Sequence, residues 1–234
     1  MPSETDKYTL QSVDNALRIL DAFSEEPEMY ASEVCSKLGL TKSCVFRLLK
    51  TLEGRGFVSR NKVTGRYRLG YKALYLGSAV SARFEFVRDA HPFLERLSEE
   101  TGETAQFAIF DRGEAVFIDK VESKRFFTTA SRIGSRMPAY ATATGKVLLS
   151  CLKEGDLKEY LAKTRLKRLT ANTITNARDL RMEIERIRRS GYAIDNQESE
   201  EGLMCLAVPI QDPSGHSVAM SISGPASRLE NRRD

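Results

Sequence analysis

The chain has 234 residues, 41% apolar and 29% charged, the balance of a soluble globular protein with room for one large or two ordinary domains. No run approaches the roughly 18 apolar residues of a membrane span, and the opening MPSETDKYTLQSVDN lacks the apolar core of a signal peptide, so a cytoplasmic protein with no membrane partner is expected. The formal charge of +4 is uneven: residues 42–72 hold nine Lys or Arg against one acid, Glu53, a footprint for nucleic acid in an otherwise mildly acidic chain.

Residues 9–24 predict a helix with Leu10, Val13, Leu17, Leu20 and Phe23 on its inner face, closed by Pro27. Residues 31–38 predict a short second helix with Ala31, Val34 and Leu38 inward. Gly39-Leu40-Thr41 then turns the chain into a third, TKSCVFRLLKTLEGRG, where Val45, Leu48, Leu49 and Leu52 form the apolar stripe. Thr41 stands at the N-cap position, and Gly54 and Gly56 stop the helix. The opposite face carries Lys42, Ser43, Phe46, Arg47 and Lys50, cationic and hydroxylated without a carboxylate. Such a face suits phosphates and base edges in a major groove, although an ordinary amphipathic helix can also carry a solvated basic face.

After Gly56 the period becomes strand-like: FVSR, a turn at NKVTG, then RYRLG. Arg60, Lys62, Arg66 and Arg68 line this hairpin. Helix, short helix, tight turn, helix and basic hairpin is the order of a winged helix-turn-helix, with double-stranded DNA as its partner. Residues 71–83 predict a linker helix, and possession of Leu74, Ala79 and further small residues suits close helix contact there.

The second half, residues 84–234, opens with an amphipathic helix over 84–101 whose inward residues are Phe86, Val87, Ala90, Leu94 and Leu97, with Pro92 marking a kink or restart. Strands are expected at 104–110, 115–121, 126–132, 205–211 and 217–223, with another opening at 192–195. Helices are expected at 146–152, 155–163 and 176–190. Mixed helices and recurrent hairpins predict an α+β chain: a winged helix-turn-helix domain over 1–70, a linker over 71–83, and a domain with a largely antiparallel sheet over 84–234. Cys35, Cys44, Cys151 and Cys205 have no CxxC spacing and only His91 and His216 accompany them, so reduced thiols are expected, with no metal and no cofactor.

The motifs LTKSCVFRLLKTLEGRGFV, SRIGSRMPAYATATGKVLLS (131–150) and GYAIDNQESEEGLMCLAVPIQDPSGHSVAMSISGP (191–225) together resemble the IclR family of bacterial transcriptional regulators over essentially the whole chain. SRIG, TATGKVLL and SISGP are most similar to the regulators of 2-keto-3-deoxygluconate and pectin-sugar catabolism. The resemblance implies a GAF-like effector domain, a curved antiparallel sheet and helices around a small-molecule cavity. It also implies homodimers, often homotetramers, on palindromic operators. The family usually continues into a long helix after the SISGP strand, whereas SRLENRRD implies one missing or very short.

Residue by residue, the family's pocket maps onto Ala143, Thr144, Gly145, Asp195, Leu203, Cys205, Ser221 and Ser223. Their chemistry suits a small keto or sugar acid. A helix start at 144–146 offers amides to a carboxylate, Gly145 permits close backbone approach, and Ser221 and Ser223, two apart on a strand, face one side. Each also has a plainer reading: Cys205 as a core thiol, Asp195 ordering the 196–202 loop, the serines satisfied locally. Met137 and Tyr140 are either cavity walls or core.

The resulting expectation is a ligand-responsive, sequence-specific regulator of a catabolic operon. Two other classes stand beside it. One is a DNA-binding protein whose second domain only oligomerises, for which an apolar-filled interior is expected. The other is an enzyme using Cys205, His216 and Asp195 as a triad, which the position of His216 in a DPSGH turn disfavours.

Overall fold

A computed structural model describes residues 8–82, 84–125, 131–211 and 215–230. It divides the chain into two compact units, residues 1–83 and 84–234.

In the first unit, α1 (Gln11–Glu25), α2 (Ala31–Leu38) and α3 (Lys42–Gly54) surround a core of Ile19, Phe23, Val34, Val45, Leu49 and Leu52. Gly39 ends α2 in the left-handed region (φ 65°), a conformation that glycine adopts without steric cost. Thr41 accepts a bond from the Cys44 amide and caps α3. Strands β1 (Val58–Arg60) and β2 (Tyr67–Leu69) pair antiparallel, and Met29 bridges to Tyr67 along the other side of β2. Helix α4 spans Tyr71–Ser81.

The expected inner face of α1 needs correction. Asn15, Ile19, Ala22 and Phe23 are buried, while Leu10, Val13 and Leu17 are more than half exposed. The helix carries two apolar stripes, and α2 and α3 pack against the one containing Ile19 and Phe23.

The second unit is built on a six-stranded, wholly antiparallel sheet, ordered β5-β4-β3-β8-β7-β6: β3 Thr104–Asp111, β4 Glu114–Val121, β5 Arg136–Pro138, β6 Ala193–Asn196, β7 Leu203–Gln211 and β8 Ser217–Pro225. Helix α5 (Glu85–Thr101) packs on one face through Phe86, Ala90, Leu94 and Leu97. Pro92 lies inside α5 without dividing it. Helices α6 (Ala143–Ser150), α7 (Glu154–Lys163) and α8 (Ala177–Ser190) belong to the core on the other face, with Phe117, Val147, Leu148, Leu180 and Ile184. A register shift between Phe107 and Ala108 bends the pairing of β3 with β4.

Several boundaries differ from expectation. Helix α6 begins three residues earlier, at Ala143, because Thr142 accepts the Gly145 amide and fixes the first turn. Ahead of it, β5 and a 3₁₀ turn (Ala139–Ala141) occupy a stretch without strand periodicity. Residues 126–130 of the strand expected at 126–132 lie outside the described residues. Helix α9 (Ala226–Leu229) follows β8, burying Ala226 and Leu229 against Met204. Arg228 on α9 holds the buried Glu103 carboxylate with two bonds of 2.7 and 2.6 Å.

Candidate functional site

On α3, Lys42, Ser43, Phe46, Arg47 and Lys50 are all exposed, as is the capping Thr41. Val45 and Leu49, one helical turn apart, are fully buried on the other side. Lys50 pairs with Glu53 at 2.9 Å, whereas no acidic partner is recorded for Lys42 or Arg47 among the described residues. The helix thus presents two open cations beside an exposed aromatic ring.

The four hairpin cations do not have equal freedom. Arg66 donates to the Glu28 carbonyl at 3.3 Å and lies 4.6 Å over the Tyr30 ring. Arg68 donates to Ser59 and sits 3.7 Å from Glu28. Arg60 donates to the Gly65 carbonyl across the turn. Lys62 is exposed in the turn, where Asn61 accepts the amides of Val63 and Thr64 and Gly65 takes φ 77°.

In the second unit, register gathers residues distant in sequence. Asp195 pairs with Cys205, Cys205 with Ser223, and Ser223 with Thr104, one row across four strands. Ser221 lies two residues along β8 on the same side, opposite Gln106. Together with the start of α6 they enclose a cavity of about 120 Å³. Ala143, Thr144, Asp195, Leu203, Cys205, Ser221 and Ser223 all line it. Gly145 does not: its amide is bonded to Thr142, and a Cβ there would lie 2.3 Å from the Ala139 backbone, so this glycine serves helix packing. Met137 lines the cavity, whereas Tyr140 is buried in the core with its hydroxyl bonded to Lys167.

The cavity is polar where it meets the sheet. Ala143 and Thr144 open α6, where backbone amides have no intrahelical acceptor, and both residues line the cavity. Ser221 is 2% exposed, and its hydroxyl has no hydrogen-bond partner among the described residues. Gln106 donates to Ser223 at 2.9 Å and accepts from Ser131 at 2.8 Å. Asp195 accepts the Glu198 amide (2.7 Å), the Ser199 amide (3.3 Å) and the Ser199 hydroxyl. It therefore orders the following loop as well as lining the cavity. Burial pushes its carboxyl above the usual range, opposed by the Ser199 bond.

Burial likewise pushes the Cys205 thiol far up, the opposite of an activated nucleophile. The triad is not assembled. His216 precedes Ser217, which pairs with Gln211, and Gln211 is six residues along β7 from Cys205, about 20 Å at strand spacing. Sequence reasoning missed Gln106, Ser131, Ser135, Phe117 and Ser199 as lining residues. Only Gln106, a polar residue inside TAQFAIF, left a local signal.

The family described as "IclR helix-turn-helix domain" matches residues 12–62, and "Bacterial transcriptional regulator IclR C-terminal" matches residues 78–234. The HTH-type transcriptional regulator XynR of Escherichia coli K12 is 37% identical over 224 residues, 95% of this chain and 89% of XynR. The regulator KdgR of the same organism is 35% identical, covering 96% of this chain and 86% of KdgR. The crystal structure of the Thermotoga maritima IclR superposes with a TM-score of 0.77 at 40% identity, over 95% of this chain and 93% of that one. Two signatures in sequence order, full-length relatives and a shared fold make this chain a member of the IclR family of DNA-binding transcriptional regulators.

Proposed function

We propose that this regulator senses a small organic acid, a keto or sugar acid, in the cavity of its second unit and controls a catabolic operon in response. The observation that carries this reading is the Ser221 hydroxyl, buried on the cavity wall and without a partner among the described residues. A buried hydroxyl without a partner costs roughly 1–3 kcal/mol, and a bound acceptor oxygen relieves that cost. The amides of Ala143 and Thr144 supply the complementary site for a carboxylate.

In this reading Lys42, Ser43, Phe46, Arg47 and Lys50 enter the major groove with Thr41 at the helix start. Lys62, assisted by Arg60 and Arg68, grips phosphates. Residues 1–70 form the DNA-binding domain, 71–83 the linker and 84–234 the effector domain. On α4, Tyr71, Leu74, Tyr75, Leu76 and Val80 are all exposed, an apolar surface that supports contact with a second copy. A homodimer, or a homotetramer of two such dimers, then reads a palindrome, and the acid shifts the placement of the two recognition helices.

Thermal unfolding of the full chain against keto, sugar and aromatic acids tests the sensor reading. A bound acid raises the midpoint in a concentration-dependent way, and Ser221→Ala and Ser223→Ala abolish that rise. Folded protein whose midpoint no acid moves overturns the reading in favour of a second unit that only oligomerises.

A further inference from the structure

Phe46 is 57% exposed on the outer face of α3, while Val45 beside it is fully buried. It stands on one ridge with Lys42 and Lys50, each one helical turn away and about 6 Å along the axis. Ser43 and Arg47 form the neighbouring ridge. Among the described residues Phe46 joins neither the core of the first unit nor a pair of rings. The ring is thus framed by cations and a hydroxyl, and the one acid of α3, Glu53, is bonded to Lys50.

A second copy of the chain does not suit this face. One ring offers little apolar area for a stable protein contact, and a copy meeting it through the same patch would set Lys42 and Arg47 against their own counterparts. A duplex suits it, because the phosphates along both walls of a major groove match the cations around the ring. On the floor of that groove guanine, adenine and cytosine present polar edge atoms. A ring laid against those atoms takes their water away and returns no hydrogen bond. Thymine alone adds a methyl group, at C5, that an apolar ring can cover. We infer that Phe46 is a specificity-determining residue of DNA recognition: it selects thymine at one position of each operator half-site by packing on the C5-methyl group. This inference rests on the reading above in which α3 enters the major groove.

Duplexes selected by the full chain from a random-sequence pool supply the probe, and fluorescence anisotropy reads their affinity. Each thymine of the selected site is replaced in turn by deoxyuridine, which removes the methyl group and leaves base pairing intact. At one thymine per half-site the wild-type protein should lose about fourfold in affinity, the factor expected for one buried methyl group. Phe46→Ala should bind the intact site more weakly and no longer distinguish thymine from deoxyuridine there. Phe46→Leu, which keeps an apolar contact, should retain the preference. Cytosine at that position should cost the wild type at least about fivefold. The 5-methylcytosine duplex restores the methyl group at the same point of the groove and should recover about fourfold of that loss. The ring lies outside the core, so Phe46→Ala should unfold at the wild-type midpoint. Deoxyuridine tolerated at every position by the wild type, or a methyl preference that survives in Phe46→Ala, overturns the inference. If Arg47→Ala still loses selectivity for the selected site, the groove reading stands without it. A pool that yields no enriched sequence, or an Arg47→Ala protein as selective as wild type alongside an indifferent Phe46→Ala, removes the groove reading and this inference together.

Discussion

Lys146 is 1% exposed on α6, and its ammonium is bonded to the Glu198 carboxylate and, at 2.7 Å, to the Ile194 carbonyl. Every residue of α6 from Ala143 to Leu149 is buried, so a lysine on that helix has no path to solvent and must find its partners inside. Those partners lie on β6 and on the loop carrying Ser199 and Glu200, which line the cavity. The ion pair thus ties the helix whose start faces the cavity to the loop that borders it.

Removing one partner leaves the other charge buried and uncompensated, which typically costs about 3–5 kcal/mol. Lys146→Met should destabilise the protein by that order in urea unfolding. The double substitution Lys146→Met, Glu198→Leu should recover much of the loss, because an apolar pair of similar volume carries no desolvation penalty. Equal destabilisation by single and double variants would show that shape, rather than charge, holds the loop.

The same pair has a pH signature. Burial is the largest influence on Glu198 and raises its carboxyl above 4.5; the charge and hydrogen bond of Lys146 oppose it, while Asp195 and Glu183 add to the rise. A raised folded pKa means that the folded state binds more protons than the unfolded one in that range. The contribution of Glu198 is therefore fully present below the unfolded value and is lost as pH rises through the folded one. Glu198→Gln stays neutral, so its stability relative to wild type should improve from about pH 4 upward. Urea titrations of both proteins across that range decide it; a relative stability that instead falls with pH would mean that Lys146 outweighs burial.

Arg47, Lys62 and Arg66 belong to one basic block in sequence but should fail in three different ways. Arg47, open on the outer face of α3, should cost on the order of 1–3 kcal/mol on operator DNA and little on random DNA when changed to alanine. Lys62→Ala should weaken both kinds of DNA and lower the salt slope by about one. Arg66→Ala should lower the unfolding midpoint of the first unit, because its guanidinium joins the hairpin to Glu28 and Tyr30. Fluorescence anisotropy at several salt concentrations, with thermal unfolding alongside, separates the three. Identical behaviour on specific and random DNA would refute this division.

Legibility followed the range of the interactions. The bounds of α2 and the cap of α3 depend on neighbours within four residues, and GLT with its glycine and threonine announces both. The inner face of α1 was misjudged because Val13 and Leu17 form a stripe as apolar as that of Ile19 and Phe23, and only tertiary packing chooses between them. The row Asp195, Cys205, Ser223 became a site through the resemblance to a family, since strand register between segments so far apart leaves no local mark. Gln106 and Lys146 were missed for a related reason. A single polar residue in an apolar run signals a buried partner without naming it.

Gly145 separates packing from ligand contact. A methyl group there would meet the Ala139 backbone at 2.3 Å, a clash that no rotamer relieves, whereas Gly155 on α7 has nothing within 4 Å of its Cβ position. Gly145→Ala should therefore destabilise by at least about 1–3 kcal/mol, the usual cost of overpacking a core. Gly155→Ala should be neutral or stabilising by up to about 1 kcal/mol through helix propensity. Because relief requires α6 to move away from the 3₁₀ turn, Gly145→Ala should also displace the amides of Ala143 and Thr144. It should then weaken acid binding even at temperatures where the variant remains folded. Parallel urea unfolding and calorimetry of the two variants check both effects; a Gly145→Ala protein that unfolds early but binds acid with wild-type affinity would show that the start of α6 takes no part in the site.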